Sequence, residues 1–527
     1  MSRIAVPFLS VLMVSACGVP QKAAPPTATP TPTPTPTPSS APPSSTLPGP
    51  GASPSPGVSG PDVRPALAET RSTLTQNLKV EVVGLNRVKG RHLVIQLRLT
   101  NTGTDKQLPW TGEMGDSTRP LGEIRWASGI GVLDAPARTW ILPYKPADFP
   151  CLCTDERRDG VGYFIDPGQA ITVYAVTPAP SGNPATATVV TPVGPPMMNV
   201  PVSDDPPVTA PGMVIPDPDA EPVTTVTRRI VTPSESLDKS EETADDGKDL
   251  QVSLSSDVLF AVNKAVLTRG AEAILARTAK LIDSSPGATV KVEGHADSSG
   301  TDAINDPLST RRAQTVLRAL STQLSRKGVA FQAKGYGSRR PLYSNNTDEG
   351  KRRNRRVTVT FTRPEPTETT APSTSTATGP EATGLTGTAR ADGQPISMAV
   401  TGLRRLPGGL GLLTYRVTNE GDAEAWFNEL HHARDWMSFK YQAATNVTLT
   451  DTAAARQYLP GRLQVPTDDG GTDSYCACTD VSGVRLSTGK FGPGQGRDFW
   501  GLFELPAQAA TLKVKIATFR DLQVPVQ

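Results

Sequence analysis

Asp297 and Arg312 are the two side chains whose types and spacing most directly imply a ligand. They close the two ends of the stretch D-S-S-G-T-D-A-I-N-D-P-L-S-T-R-R, which follows V-K-V-E-G-H-A (290–296). Val290 and Val292 alternate, so a strand feeds a Gly/Ser/Asp-rich loop. Ser309, just after Asp306-Pro307-Leu308, stands where a helix N-cap belongs, so the loop ends in outward-pointing N–H groups. A carboxylate docked there gains from those donors and from the helix dipole. Arg312, in the first turn, adds a planar two-pronged donor, and Asp297 accepts hydrogen bonds from an ammonium. The combination suits a group that carries an amine and a carboxylate on one carbon. Taken singly, Asp297 also fits a turn-capping residue and Arg312 an exposed helix residue.

The elements that must hold this loop follow from periodicity. Leu250, Val252 and Leu254 alternate as a strand, and Ile274, Leu275, Thr278, Leu281 and Ile282 share a helical face. Residues 289–294 give a second strand. Ala313, Val316, Leu317, Leu320 and Leu324 line a second helix, with Gly328 as its C-cap. Residues 329–334 and 356–362 complete a sheet, the last with Val357, Val359 and Phe361 alternating. The expected module is α+β, in the order β-α-β-α-β-β, over 248–363.

Its motifs are L-F-A-V-N-K (259–264), L-T-R-G (267–270), G-H-A-D-S-S-G (294–300), N-D-P-L-S-T-R-R-A (305–313), G-Y-G-S-R-R-P (335–341) and N-R-R-V (354–357). In this order and spacing they resemble the OmpA-like peptidoglycan-binding domain, the C-terminal module of outer-membrane protein A and its relatives. The resemblance covers roughly a fifth of the chain. It implies that the ligand is the free amino-acid end of diaminopimelate in the peptidoglycan stem peptide. It further implies that Asp297 takes the amine, Arg312 the carboxylate, and that Asn263, Ser299, Asn305 and Arg355 complete the pocket. Asn354-Arg355-Arg356 also fits a plain basic strand start. One departure is Ala261, where the family often places an acidic residue after the Phe.

With 527 residues, 37% hydrophobic content and 52 prolines, the chain implies several domains joined by linkers. The net charge of +2 hides an acidic run at 234–249 and a basic one at 339–356, both expected as solvated loop surface. Neither carries the aromatic interleaving of a nucleic-acid site. Residues 1–17 have one early Arg, a short apolar run and small residues before Cys17, which is a secretory signal rather than a span. Val14-Ser15-Ala16-Cys17 resembles a lipoprotein lipobox, which implies lipid on Cys17 as the membrane attachment. Residues 18–70 are Pro/Thr-rich and expected to be a polyproline leash. Extended at about 3.1 Å per residue, such a leash reaches on the order of 150 Å.

Two further regions mirror each other: V-V-G-L-N-R, R-L-T-N-T-G, C-L-C-T-D and P-G-Q in 75–203, against V-T-G-L-R-R, R-V-T-N-E-G, C-A-C-T-D and P-G-Q in 393–527. They are expected to be duplicated all-β, sandwich-like domains, with 204–247 and 364–392 as linkers. Cys151-Leu152-Cys153 and Cys476-Ala477-Cys478 fit local disulfides in an oxidising compartment, metal ligands, or pairing between copies. C-x-C alone supplies two of the usual four zinc ligands. No G-x-S-x-G or H-E-x-x-H motif points to an enzyme, and no cofactor or metal site is expected. The whole implies a cell-envelope lipoprotein that tethers a membrane to the wall. The alternative is an envelope scaffold whose β-domains bind another protein, the wall being only an anchor.

Overall fold

The computed structural model describes residues 62–73, 75–116, 126–209, 213–365, 385–431, 439, 442–467, 470–479 and 489–527. The signal segment, Cys17 and most of the Pro/Thr-rich leash lie outside the described residues. In the first β region, β1 (Ala68–Arg71), β2 (Leu78–Val88), β3 (His92–Asn101), β4 (Thr139–Pro146) and β5 (Ala170–Pro178) follow in order. Strands β1, β2, β3 and β5 form an antiparallel sheet in that order. The β2–β3 hairpin turns at Lys89-Gly90, both with positive φ, the conformation of a tight primed turn. Leu78, Val80, Ile95, Leu97 and Val173 of this sheet pack with Val132, Ile141 and Val189 of a second layer.

The stretch 204–247 is not a plain linker. It contains β6 (Val223–Ser236) and β7 (Glu241–Asp245), paired as a hairpin. The first half of β6 pairs with β4. The acidic run is only partly solvated: Asp238 is exposed, but Glu235, Glu241 and Asp245 are buried. So are Arg353 and Arg356 of the basic run. The physical reason is mutual: arginines from neighbouring elements reach these carboxylates, so burial is compensated by pairing.

The central module runs β8 (Asp249–Ser255), α1 (Ser256–Leu259), α2 (Ala271–Asp283), β9 (Thr289–Gly294), α3 (Asp302–Gln323), β10 (Ala330–Gly335), α4 (Asp348–Asn354) and β11 (Arg356–Thr362). Its sheet order is β7-β8-β11-β9-β10, with only β9 and β10 parallel within that run. The expected stripes from β8, α2, β9, α3 and β11 meet in one core, including Leu250, Val252, Leu254, Ile274, Val290, Val316 and Phe361. The short helices α1 and α4 were not expected. Two expected caps are corrected. Helix α3 starts after Thr301, not Ser309, and it continues through Pro307. It ends at Leu324, leaving Gly328 (φ +80°) in the following turn. An isolated Asp-Pro reads as a helix start, but here the turn before it is already helical, and Pro307 forgoes only one internal hydrogen bond.

In the second β region, β12 (Thr386–Ala391), β13 (Gln394–Arg405), β14 (Leu410–Asn419), β15 (Arg456–Tyr458), β16 (Arg462–Pro466) and β17 (Gly496–Glu504) follow. The sheet order β12-β13-β14-β17 repeats that of β1-β2-β3-β5. Strand β12 falls within 364–392, so the end of that expected linker is sheet. Strands β15 and β16 both pair with β6. One continuous sheet of described strands therefore crosses both β regions and the module, with β6 as the shared member. The sulfurs of Cys151–Cys153 and of Cys476–Cys478 are bonded within each pair, with Cα separations of 5.3 and 5.1 Å. Among the described residues, no helix is long and apolar enough to cross a membrane.

Candidate ligand-binding site

Strand β9 delivers the site loop. His295 donates its backbone N–H to Arg356 (2.9 Å) and Ala296 to Gly337 (2.8 Å), so the backbone entering Asp297 is tied to two other segments. Helix α3 lies close on this strand because glycine permits it. A Cβ on Gly294 would sit 2.1 Å from the Ser309 carbonyl oxygen. Ser309, expected as a cap, is instead a buried mid-helix residue whose hydroxyl accepts from Gly337 N–H at 3.0 Å.

Asp297 is buried, and its two carboxylate oxygens have different work. Oδ1 accepts from Ser299 N–H at 2.8 Å, the turn-capping contact. Oδ2 pairs with Arg355 Nη1 at 2.6 Å. Asn305, also buried, donates from Nδ2 to the Ser299 carbonyl at 2.9 Å. Asp297, Ser299, Asn305 and Arg355 are thus one connected set. Arg312 is also buried. Its Nε donates to the Lys264 carbonyl at 3.1 Å, and its guanidinium lies 5.1 Å from the Phe260 ring centre. Asn263, the residue before Lys264, is exposed and has φ +56°. It shapes the loop that meets Arg312.

Asp257, in α1, was missed by sequence reading. Its carboxylate takes Arg355 Nε and Nη2 at 2.9 and 2.7 Å. The one available signal was an acidic residue just upstream of L-F-A-V-N-K. Hydrogen bonding to Asp257, with Asp297 adding to it against the cost of burial, raises the Arg355 pKa. Arg312 moves the other way: burial lowers its pKa, Asp257 opposes that, and Arg355 adds to it. Among the described residues, no carboxylate forms an ion pair with Arg312. The site therefore holds one guanidinium paired with two carboxylates, and one buried guanidinium with no ion pair among the described residues. His295 lies beneath, stacked on Tyr336 at 5.6 Å, and burial reinforced by Arg356 and Arg340 pushes its imidazole down to about 3.

Comparison with known proteins places the module's sequence in a family. The OmpA family model matches residues 259–355. Outer membrane porin F of Pseudomonas aeruginosa is 39% identical over 106 residues, covering 20% of this chain and 30% of the porin. YfiB of Escherichia coli is 37% identical over 120 residues, 22% of this chain and 72% of YfiB. Peptidoglycan-binding protein ArfA of Mycobacterium bovis is 36% identical over 105 residues, 19% of this chain and 31% of ArfA. The chain therefore spans under a third of the length of the porin and of ArfA, and the residues matched by the family model contain Asp297 and Arg312. Through that module, the chain belongs to the OmpA family.

Proposed function

We propose that this protein is a cell-envelope binding protein, not an enzyme, which holds peptidoglycan non-covalently at the Asp297–Arg312 site. The ligand is the free amine-and-carboxylate end of diaminopimelate. Arg312 takes the carboxylate, Asp297 takes the amine, and Asn263, Ser299, Asn305 and Arg355 shape the pocket. Lipid on Cys17 and the leash after it would make the protein a tether between a membrane and the wall. Arg312 carries this reading: a buried guanidinium held by the Lys264 carbonyl and the Phe260 ring, near the Asp257 carboxylate, is positioned to take a carboxylate of the ligand. The peptidoglycan-binding name of the ArfA relative agrees with it.

The test is binding of the full chain to isolated walls and to soluble muropeptides. Asp297→Ala and Arg312→Ala are expected to weaken binding by at least about tenfold, the equivalent of about 1.4 kcal/mol. Arg312→Lys loses much of the affinity, because an ammonium makes no planar two-pronged contact. Walls with lysine at the third stem position lack the carboxylate and bind poorly. Equal binding to both wall types, or both alanine variants binding like wild type, would overturn the assignment. A second role, docking of an envelope protein on the first β region, is favoured by the adjacent exposed rings of Tyr163 and Phe164, 5.0 Å apart.

A further inference from the structure

The last turn of α4 sends three consecutive side chains to three places. Arg355 goes to the ligand site, bridging Asp257 and Asp297. Asn354, fully buried, holds the 342–345 segment: its Oδ1 accepts from Leu342 and Tyr343 N–H, and its Nδ2 donates to Asn345. Asn345 in turn accepts from Ser298 N–H, next to Asp297. Arg353 turns away from the site and is buried against the β6–β7 hairpin. It meets Glu235 at 2.5 Å and Glu242 at 2.9 Å, with Glu349 of its own helix at 2.9 Å. The other oxygen of Glu235 accepts from Gln457 of β15, so one carboxylate touches both the second β region and α4.

From this chain of contacts we infer that Glu235 and Glu242 are positioning residues of the ligand site. Through Arg353 they fix the end of α4, and so the place of Arg355 between its two aspartates. The inference rests on the peptidoglycan-site reading and deepens it: affinity at Asp297 and Arg312 depends on how the second β region holds the hairpin. A hairpin that merely filled space would not need two carboxylates on a buried arginine adjoining the site, since an apolar contact of that volume stabilises as well or better.

The experiment uses the full chain and a soluble muropeptide bearing diaminopimelate, with Tm and Kd measured on each variant. Glu235→Gln with Glu242→Gln strips the hairpin charges from Arg353 and is expected to lower both Tm and affinity. Adding Arg353→Met to that pair removes the buried charge that lost its two hairpin carboxylates, so Tm recovers. Affinity stays lower by about fivefold or more, the size of an ordinary coupling between sites. The split between recovered stability and unrecovered affinity supports positioning. A triple variant that binds like wild type overturns it, as does one whose affinity returns in step with its Tm. Asp297→Ala is run alongside. If it binds like wild type, the site reading itself fails. If it loses binding while the triple variant does not, only the positioning role fails.

Discussion

Arg312 and Arg355 share a neighbourhood but differ in what each offers a ligand. Arg355 is already spent on two carboxylates, so its part is to hold Asp257 and Asp297 apart and in place. Arg312 is held instead by the Lys264 carbonyl and the Phe260 ring. Asp297 and Arg312 were singled out by the motif set that carries them, since each alone fits a turn cap or an exposed helix residue; the structure buries both. The Asp297–Arg355 ion pair was not legible, since it joins residues 58 apart in sequence. Nor was Asp257, whose partner is set by the fold. His295 yields a prediction at this scale. In the unfolded chain its imidazole takes a proton near 6.5, and in the folded chain only near 3. Between those values the unfolded state binds more protons, so stability falls as pH falls, by at most about 1.4 kcal/mol per pH unit from this group. Denaturant melts from pH 7 down to 4 are expected to show that slope reduced in His295→Gln. A variant with an unchanged slope would remove His295 from the account.

At the scale of elements, the apolar stripes predicted β8, α2, β9, α3 and β11, because each buries one face in a shared core. They failed where no stripe exists. Helix α4, D-E-G-K-R-R-N, has no apolar face; it is held by its Thr347 cap, which accepts from Gly350 N–H at 3.1 Å, and by Arg353. The start of α3 was misplaced for a related reason: Thr301, Asp302 and Ile304 are exposed, so the first turn leaves no hydrophobic signature. What seats α3 is the missing side chain at Gly294, and at Gly335, where a Cβ would meet the Thr310 backbone nitrogen at 2.4 Å. Gly294→Ala places a methyl against backbone that cannot rotate aside. It is expected to cost about 3 kcal/mol, in the range of severe overpacking. It also moves α3, and with it Asn305 and Arg312, so ligand affinity falls together with the urea midpoint. A Gly294→Ala protein that melts and binds like wild type would show that the close approach is not needed. The two β regions share a sheet order, β1-β2-β3-β5 and β12-β13-β14-β17, and they share the T-N-x-G and C-x-C motifs.

At the scale of the whole molecule, composition misled. Pro, Thr and acidic residues in 204–247 read as a linker, yet β6 is flanked by β4 of the first region and by β15 and β16 of the second, while β7 leads into the module. Which carboxylates in such a run will be buried depends on arginines contributed from far along the chain. Asp245 is the clearest case. One of its oxygens meets Arg138 Nη2 of the first region at 2.9 Å and Arg363 Nε at the end of the module at 2.8 Å. Arg138 is wholly buried, and burial lowers its pKa, so it relies on this carboxylate. Asp245→Asn leaves two arginines without that charge in a dry junction. Breaking a buried pair in this way costs about 3–5 kcal/mol. Because the junction and the continuous sheet belong to both β regions and the module alike, the loss is expected to lower one common calorimetric transition. Independent domains on flexible linkers would behave differently: they would melt in separate steps, with only the step containing the lost pair displaced. Calorimetry of the wild type and of Asp245→Asn distinguishes the two. Separate transitions in the wild type, or one shifted transition beside unshifted ones in the variant, would mean that the shared strand does not weld the regions into one cooperative body.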